Sequence, residues 1–231
     1  MTKNILIVLH SDVSSPGRIG HMLVEKGYRL DLRRPCLGEA LPASMEHHAG
    51  AVIFGGPMSA NDPDDWIARE IDWISVPLKE EKPFLGVCLG AQMLSKQLGG
   101  RVGPHADGLV EIGYYPLRPT DEGKAFGPWP EHVYHWHREG LTLPHGATRM
   151  ATGETFENQA FRYGPKAFGI QFHPEVTRLT MHRWGVLGAH RFNMPGAQNS
   201  RAHLDANLVH DGPVKDWLSR FLDRWLTSPS A

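Results

Sequence analysis

The sequence is poor in cysteine and lacks any long apolar run. Its 231 residues include two cysteines, Cys36 and Cys88, which are too few for a disulfide framework or a cysteine-based zinc site. The N-terminal apolar segment, residues 5–9, is much shorter than a signal-peptide core or a membrane span. We therefore predict a cytoplasmic protein of a reducing compartment, with no membrane association.

A charge excess and the common phosphate-binding motifs are also missing. The 24 Lys and Arg residues oppose 25 Asp and Glu residues, for a net charge of −1, so no basic field would recruit nucleic acid. Neither G-x-x-x-x-G-K-[ST] nor G-x-G-x-x-G occurs. We predict no nucleotide site and no cofactor. The 41% apolar content and the length suit one well-packed α/β domain.

Short apolar runs bounded by Gly, Pro or charged residues indicate strands buried on both faces. They cover residues 5–9, 51–54, 84–87 and 167–172, with a further strand at 28–32. Helices are predicted at 20–26, after Asp64-Asp65 up to Pro77, and at 89–98. This alternation predicts a mostly parallel open sheet with helices on both faces.

The remaining segments complete a single predicted domain over residues 1–231. Strands at 109–117 and 132–137 indicate a small antiparallel insert over about 101–165. A helical tail is predicted over about 176–231, with residues 190–213 as an irregular connection. Its clear helix has an apolar stripe that is typical of core packing, formed by Val214, Trp217, Leu218, Phe221, Leu222 and Trp225.

The segment Gly86-Val87-Cys88-Leu89-Gly90 lies between a predicted strand and a predicted helix. Glycines on both sides permit a tight turn that projects the central side chain at the carboxyl edge of a sheet. The amides and dipole of a helix N-terminus favour a thiolate. Cys88 is therefore a candidate nucleophile, whereas Cys36 has no such setting.

A thiol nucleophile needs a base and a group that orients the base. His173-Pro174-Glu175 follows the strand at 167–172. Proline keeps the preceding residue extended, and alternate residues of an extended chain face the same way. Glu175 could therefore orient the imidazole of His173.

Gly55-Gly56-Pro57-Met58-Ser59 follows the strand at 51–54. Such glycines leave backbone amides open to a substrate oxygen, although Gly-Gly-Pro is also an ordinary turn. In a parallel sheet, the ends of these three strands would bring Gly56, Cys88 and His173 to one edge, where open α/β sheets bind ligands.

These three segments, in this order, resemble the signatures of class I glutamine amidotransferases, with the closest similarity to the amidotransferase part of GMP synthase and its free-standing relatives. The resemblance implies a flavodoxin-like sheet. It also implies Cys88 as nucleophile, His173 as base and acid, Glu175 as its orienting partner, and an oxyanion hole from the amides of Gly56 and Leu89. Further substrate contacts are implied for Gln92, Trp136, His137 and Arg138.

The expected substrate is L-glutamine or another γ-glutamyl compound. Trp136-His137-Arg138-Glu139 stands where GMP synthases more commonly have Ser-His-Gly-Asp, which leaves the acceptor open. A separate synthase subunit could receive the ammonia. The alternatives are a γ-glutamyl peptide or amine hydrolase with the same triad, and a non-catalytic regulatory relative.

His132, His135 and His137 invite a metal-binding interpretation, since alternate strand positions share a face. No Cys or Asp accompanies them at a zinc-like spacing. We therefore predict no metal and assign these histidines to packing or polar lining.

Overall fold

The computed structural model describes residues 3–227, which form one eight-stranded sheet and two two-stranded sheets. The strands are β1 (Asn4–Val8), β2 (Arg29–Arg33), β3 (His48–Ile53), β4 (Phe84–Val87), β5 (Val102–Pro104), β6 (Glu111–Pro116), β7 (Arg118–Pro119), β8 (His132–His137), β9 (Glu139–Leu141), β10 (Ala147–Thr152), β11 (Ala160–Tyr163) and β12 (Ala167–Ile170). The helices are α1 (Gly17–Glu25), α2 (Asp65–Trp73), α3 (Ser75–Lys79), α4 (Leu89–Gln97), α5 (Asp121–Phe126), α6 (Arg178–Leu187) and α7 (Ser200–Thr227), with 3₁₀ turns at Pro35–Leu37 and Ala189–Asn193.

The main sheet has the strand order β2-β1-β3-β4-β12-β11-β10-β7. Its first five strands are parallel, and the other three continue the sheet in antiparallel fashion. Counting only the parallel strands gives the order 2-1-3-4-5 of flavodoxin-like sheets. The predicted mostly parallel α/β fold is confirmed. Its parallel strands place their carboxyl ends along one edge.

Alternating side chains of β1 divide the core between the two faces of the sheet. Ile5 and Ile7 belong to the apolar cluster that includes residues of α1 and α7. Leu6 and Val8 belong to the cluster that includes residues of α2 and α4. A strand covered on both faces needs apolar residues throughout, which explains the unbroken apolar run at this position.

The strand that leads to His173 is shorter than predicted. β12 ends at Ile170, not at residue 172, because the next backbone amides leave the ladder with β4. The Gln171 amide bonds to the Gln159 carbonyl, and the His173 amide bonds to the Tyr134 carbonyl, both at 2.8 Å. The predicted strand at 109–117 also shortens, to Glu111–Pro116. The predicted strands at 84–87 and 132–137 match the observed limits, and those at 5–9, 28–32 and 51–54 move by one to three residues.

Two helix limits also differ from the prediction. α1 begins at Gly17, earlier than the predicted residue 20. The helix expected to stop or kink near Pro77 is two helices, and α2 ends at Trp73. Trp73 lies four residues before Pro77, where a proline ring meets the carbonyl of the preceding turn and removes its hydrogen-bond donor.

The antiparallel strands between residues 101 and 165 take two different places. β5 pairs with β9, and β6 pairs with β8, as separate two-stranded sheets. β7, β10 and β11 instead extend the main sheet beside β12. This region thus contributes to the main sheet as well as forming structure outside it.

The C-terminal helix is longer than predicted. All six residues of the expected apolar stripe are buried, which confirms its core role. The prediction of irregular chain over 190–213 is wrong from Ser200 onward, where α7 begins. That part lacks an apolar stripe, since Leu208 and Val209 are exposed. Polar contacts anchor it instead: Asn207 Nδ2 donates to Tyr114 Oη at 3.1 Å.

Residues 228–231 of the predicted tail lie outside the described residues. Among the helices within residues 3–227, none combines the length and apolar character needed to cross a bilayer.

Candidate active site

Cys88 occupies the turn between β4 and α4 with an uncommon backbone conformation. Its φ and ψ are 51° and −103°, a region that non-glycine residues rarely occupy. The Cys88 amide donates to the Ile170 carbonyl at 2.8 Å, which ties the turn to β12. The free thiol is 6% exposed and lies at the N-terminus of α4. A helix N-terminus stabilises negative charge, so this position suits a thiolate.

His173 and Glu175 meet just beyond the end of β12. His173 Nδ1 lies 2.7 Å from Glu175 Oε1, and both side chains are buried. Because a carboxylate can only accept, Nδ1 carries the proton of this bond. The Nε2 atom is then left for chemistry on the other side of the ring.

The imidazole of His173 lies between Glu175 and Cys88. Burial lowers the pKa of His173, but the charges of Glu175 and Cys88 and hydrogen bonds to both outweigh it and raise the pKa to about 10. The ring is therefore an imidazolium at neutral pH, in contact with a thiol and a carboxylate. Such a group can hold a thiolate beside it and donate a proton to a leaving group.

The Gly55-Gly56 segment approaches the same place through its backbone. A β-carbon on Gly55 would lie 2.9 Å from His173 Cε1 and 3.4 Å from the Cys88 β-carbon. One on Gly56 would lie 3.1 Å from Leu89 Cδ2. The amide-bearing backbone of Gly56 therefore neighbours Leu89, the residue after the thiol. Two amides at this place can stabilise an oxyanion.

The buried residues His10 and Glu70, which no sequence motif had marked, hold the Gly55-Gly56 segment in place. His10 Nδ1 donates to the Gly55 carbonyl at 3.0 Å, and His10 Nε2 lies 2.9 Å from Glu70 Oε1. Burial lowers the pKa of His10, but the charge and hydrogen bond of Glu70 raise it above its ordinary value. A charged His10 can donate from both nitrogens. No motif signals the pair, since its members are far apart in the sequence.

The side chain of Gln92 is buried and is linked to the Cys88 thiol through a second glutamine. Gln92 Nε2 donates to the Glu139 carbonyl at 2.9 Å and to Gln171 Oε1 at 3.2 Å. Gln171 Nε2 in turn lies 3.6 Å from Cys88 Sγ. The sequence analysis missed Gln171, whose place at the strand end beside His173 was the only signal available.

The segment Trp136-His137-Arg138 does not converge on Cys88 through all its side chains. Trp136 faces the helical tail, with its ring centroid 5.9 Å from that of Trp184. Trp184 itself packs edge-on against His173 at 4.9 Å, so Trp136 reaches the site indirectly. His137 is buried on the opposite face of β8, and Arg138 is exposed.

Arg138 lies near a second arginine that the sequence analysis did not single out. Burial and the charge of Arg138 lower the pKa of Arg191, and Cys88 acts in the opposite direction. Arg191 is thus within electrostatic reach of both Arg138 and Cys88. Among residues 3–227, neither is paired with a carboxylate. Unpaired arginines bind anionic groups of ligands.

One cluster in the described chain has the composition of a metal site. Glu111, His135 and His137 are buried, and one ligand atom from each lies within 4.8 Å of the others. Burial raises the pKa of Glu111, but His135, His137 and Gln159 together lower it to about 2. No ligand accompanies the histidines within their own sequence segment, because Glu111 lies on β6 and joins them only through strand pairing.

The profile of the class-I glutamine amidotransferase family matches residues 14–183. The chain belongs to this family. The matched region contains Cys88, His173 and Glu175 as well as the Gly55-Gly56 segment. Membership of the family agrees with the resemblance inferred from the motifs.

Three curated relatives of this amidotransferase-family chain differ in the activity that their names give. YfeJ of Salmonella typhimurium, named as glutamine amidotransferase-like, is 30% identical over 74% of this chain and 74% of its own. A glutamine-hydrolysing GMP synthase subunit of Ignicoccus hospitalis is 30% identical over 71% of this chain and 87% of its own. Gamma-glutamyl peptidase 5 of Arabidopsis thaliana is 31% identical over 67% of this chain and 64% of its own.

A crystal structure of a glutamine amidotransferase from Thermotoga maritima also resembles this family member. Its TM-score is 0.88 at 33% identity, and the match covers 99% of this chain and 100% of that chain. The similarity thus extends beyond residue 183 into the helical tail.

Proposed function

We propose that this protein hydrolyses the side-chain amide of glutamine to glutamate and ammonia through a thioester on Cys88. The observation that carries the proposal is the contact of one buried imidazole with both Cys88 and Glu175. A nucleophile, a base and an orienting carboxylate in that order of contact make a complete triad. The family of the chain supports the choice of an amide substrate.

In the first step, the Cys88 thiolate attacks the side-chain amide carbon and an S–C bond forms. The backbone amides of Gly56 and Leu89 stabilise the oxyanion, an effect of about 3 kcal/mol per donor in comparable sites. His173 gives its proton to the nitrogen, the C–N bond breaks, and ammonia leaves. Glu175 holds the imidazole in place throughout.

In the second step, water adds to the γ-glutamyl thioester. His173 takes a proton from the water, which attacks the carbonyl carbon. The S–C bond breaks, the proton of the new carboxylic acid passes to solvent and glutamate leaves, so that the Cys88 thiolate is restored beside the imidazolium of His173. The hydrogen bonds of Gln92 to the Glu139 carbonyl and to Gln171, which itself lies near Cys88 Sγ, support a role for Gln92 in holding the substrate.

The ammonia passes to a separate synthase partner or to another acceptor. The name of the Ignicoccus relative, which is one subunit of a GMP synthase, supports an assembly of this kind.

Cleavage of γ-glutamyl peptides or amines by the same triad is the second candidate. The relative named a γ-glutamyl peptidase supports it. The unpaired Arg138 and Arg191 also suit it, because a γ-glutamyl dipeptide carries one carboxylate more than glutamine. In this reaction the amine of the leaving residue takes the proton that ammonia takes in the first.

The decisive experiment compares wild type with Cys88→Ala and Cys36→Ala. Loss of the nucleophile should lower glutamine hydrolysis by about 10⁴-fold or more. Cys36 is a free thiol on a 3₁₀ turn after β2 and is the matched control, which should keep full activity. Ammonia release from glutamine is measured beside cleavage of γ-glutamyl dipeptides. Near-full activity of Cys88→Ala would refute the mechanism, and preference for dipeptides would favour the second candidate.

A further inference from the structure

The side chains of Glu111, His135 and His137 bring three potential metal-ligand atoms together in the protein interior. The three facing atoms form a nearly regular triangle. His137 Nε2 lies 3.0 Å from Glu111 Oε2 and 3.0 Å from His135 Nδ1, and the latter two are 3.3 Å apart. All three side chains are at most 5% exposed.

The orientation of His137 fixes where its lone pair points. Its Nδ1 lies 3.0 Å from the Glu139 carbonyl, which can only accept a hydrogen bond. Nδ1 therefore carries a proton, and in the neutral form of the ring Nε2 presents a lone pair toward the carboxylate oxygen of Glu111. A cation between the two atoms would be bound by both.

The neighbours of the cluster resemble the outer shell of a metal site. Histidine ligands usually donate their second ring N–H to a backbone carbonyl or carboxylate, and ligating carboxylates are themselves hydrogen-bonded. His137 makes such a bond to Glu139. Gln159 Nε2 makes the other, donating to Glu111 Oε2 at 2.8 Å.

Adjacent antiparallel strands bring the ligands together. Glu111 is paired directly with His137 across β6 and β8, and His135 lies two residues earlier on the same face. A rigid ladder thus sets the spacing of the three. In tetrahedral coordination with bonds of about 2.0–2.2 Å, ligand atoms lie about 3.3–3.5 Å apart. The triangle needs to expand by only a few tenths of an ångström.

We infer that Glu111 Oε2, His135 Nδ1 and His137 Nε2 bind a zinc ion. Two imidazoles and one carboxylate suit Zn²⁺, whereas Mg²⁺ and Ca²⁺ prefer oxygen ligands alone. The fourth position belongs to water or another small ligand. The Glu139 carbonyl that accepts from His137 also accepts from Gln92, so the ion would order the segment from His137 to Glu139 and, through it, the side chain of Gln92. The inference does not depend on the proposed reaction.

The test is a zinc titration of the chelator-treated, full-length protein, followed by calorimetry. Wild type should bind one equivalent of Zn²⁺ per chain. Glu111→Gln and His135→Asn should each bind it at least about 100-fold more weakly, and Gln159→Ala about 10- to 100-fold more weakly. His132→Asn is the matched control, because His132 is on β8 but stacks on His210 instead. Its affinity should match wild type.

Two outcomes would overturn the inference. In one, wild type takes up no equivalent of zinc. In the other, Glu111→Gln and His135→Asn bind zinc as tightly as wild type, which would place the metal on surface histidines.

Circular dichroism and thermal unfolding without metal check that each variant is folded. Should either ligand variant fail this check, the visible spectrum of the Co²⁺-loaded wild type decides. An intense tetrahedral spectrum that His132→Asn retains supports the site, and a weak octahedral spectrum refutes it.

Discussion

At the residue scale, His173 is the member of the candidate triad whose pKa is raised by its neighbours. It is 4% exposed, yet it contacts the carboxylate of Glu175 and the thiol of Cys88. Its charged form exists because these partners outweigh the cost of burial. The same balance makes the stability of the protein depend on pH.

Replacing Glu175 with Gln should change this dependence. In wild type the pKa of His173 is about 10, against 6.5 for the ordinary side chain. Between these values the folded state holds a proton that the unfolded state releases, so stability falls as the pH rises. The stabilisation is fully present below pH 6.5 and is lost through pH 10. Urea unfolding across this range should show the advantage of wild type over Glu175→Gln shrinking, and a constant advantage would contradict this.

Individual residues were predictable from the sequence where a local motif marked them. Cys88 had flanking glycines, and His173 and Glu175 were two residues apart on an extended chain. Gln171 and Glu111 had no such marker, because their partners are 83 and about two dozen residues away. Such contacts exist only once the strands are paired, and single-sequence patterns carry no record of that pairing.

At the element scale, the turn from β4 into α4 depends on close backbone contact. Gly90, in the first turn of α4, passes against β3. A β-carbon on Gly90 would lie 2.1 Å from the Ile53 carbonyl oxygen. Neither strand nor helix can move away easily, because both are packed in the same apolar cluster. Glycine is therefore required here for space.

Gly90→Ala should be destabilising by about 3 kcal/mol or more, since overpacking against rigid backbone forces both elements apart. Gly103→Ala is the control, because a β-carbon on Gly103 would meet nothing within 4 Å. It should change the free energy of unfolding by about 0.5 kcal/mol or less. Guanidinium unfolding of the two variants and wild type measures both effects. Equal stabilities for the two variants would contradict the packing argument.

Elements were predictable where apolar periodicity was strong. The parallel strands and the last turns of α7 were expected in nearly their observed places. The first part of α7 was missed because Asn207 and other polar groups hold it, and Pro213 lies inside the helix. The antiparallel extension of the main sheet was missed as well, since alternate pairings of short strands look alike in sequence.

At the scale of the whole molecule, α7 joins the tail to the main core. Its buried residues share an apolar cluster with β1, β12 and α1. Two ion pairs also reach α7, from Arg18 of α1 to Asp211 and from Lys26, directly after α1, to Asp223, each at 2.6 Å. The second is largely exposed and adds little. The apolar face of α7 therefore provides most of the attachment.

Two leucines of α7 offer a matched test of this attachment. Leu222 is 0% exposed and Leu208 is 71% exposed. Leu222→Ala should lower the free energy of unfolding by about 2–5 kcal/mol, because it removes buried methyl groups and leaves a cavity. Leu208→Ala should change it by about 0.5 kcal/mol or less. Chemical unfolding gives both values, and similar losses for the two variants would show that the tail is not part of the cooperative core.

The hydrogen bond from the Cys88 amide to the Ile170 carbonyl has a consequence for evolution. It joins neighbouring strands that about 80 residues of chain separate in sequence. The chain between α4 and β12 begins and ends close to this hydrogen bond, because β4 and β12 are neighbours in the sheet. Insertions, deletions and substitutions in this segment that keep the hydrogen bond from the His173 amide to the Tyr134 carbonyl can therefore leave the thiol and the imidazole in place. Related chains could therefore differ widely between α4 and β12 while keeping the same arrangement of Cys88 and His173.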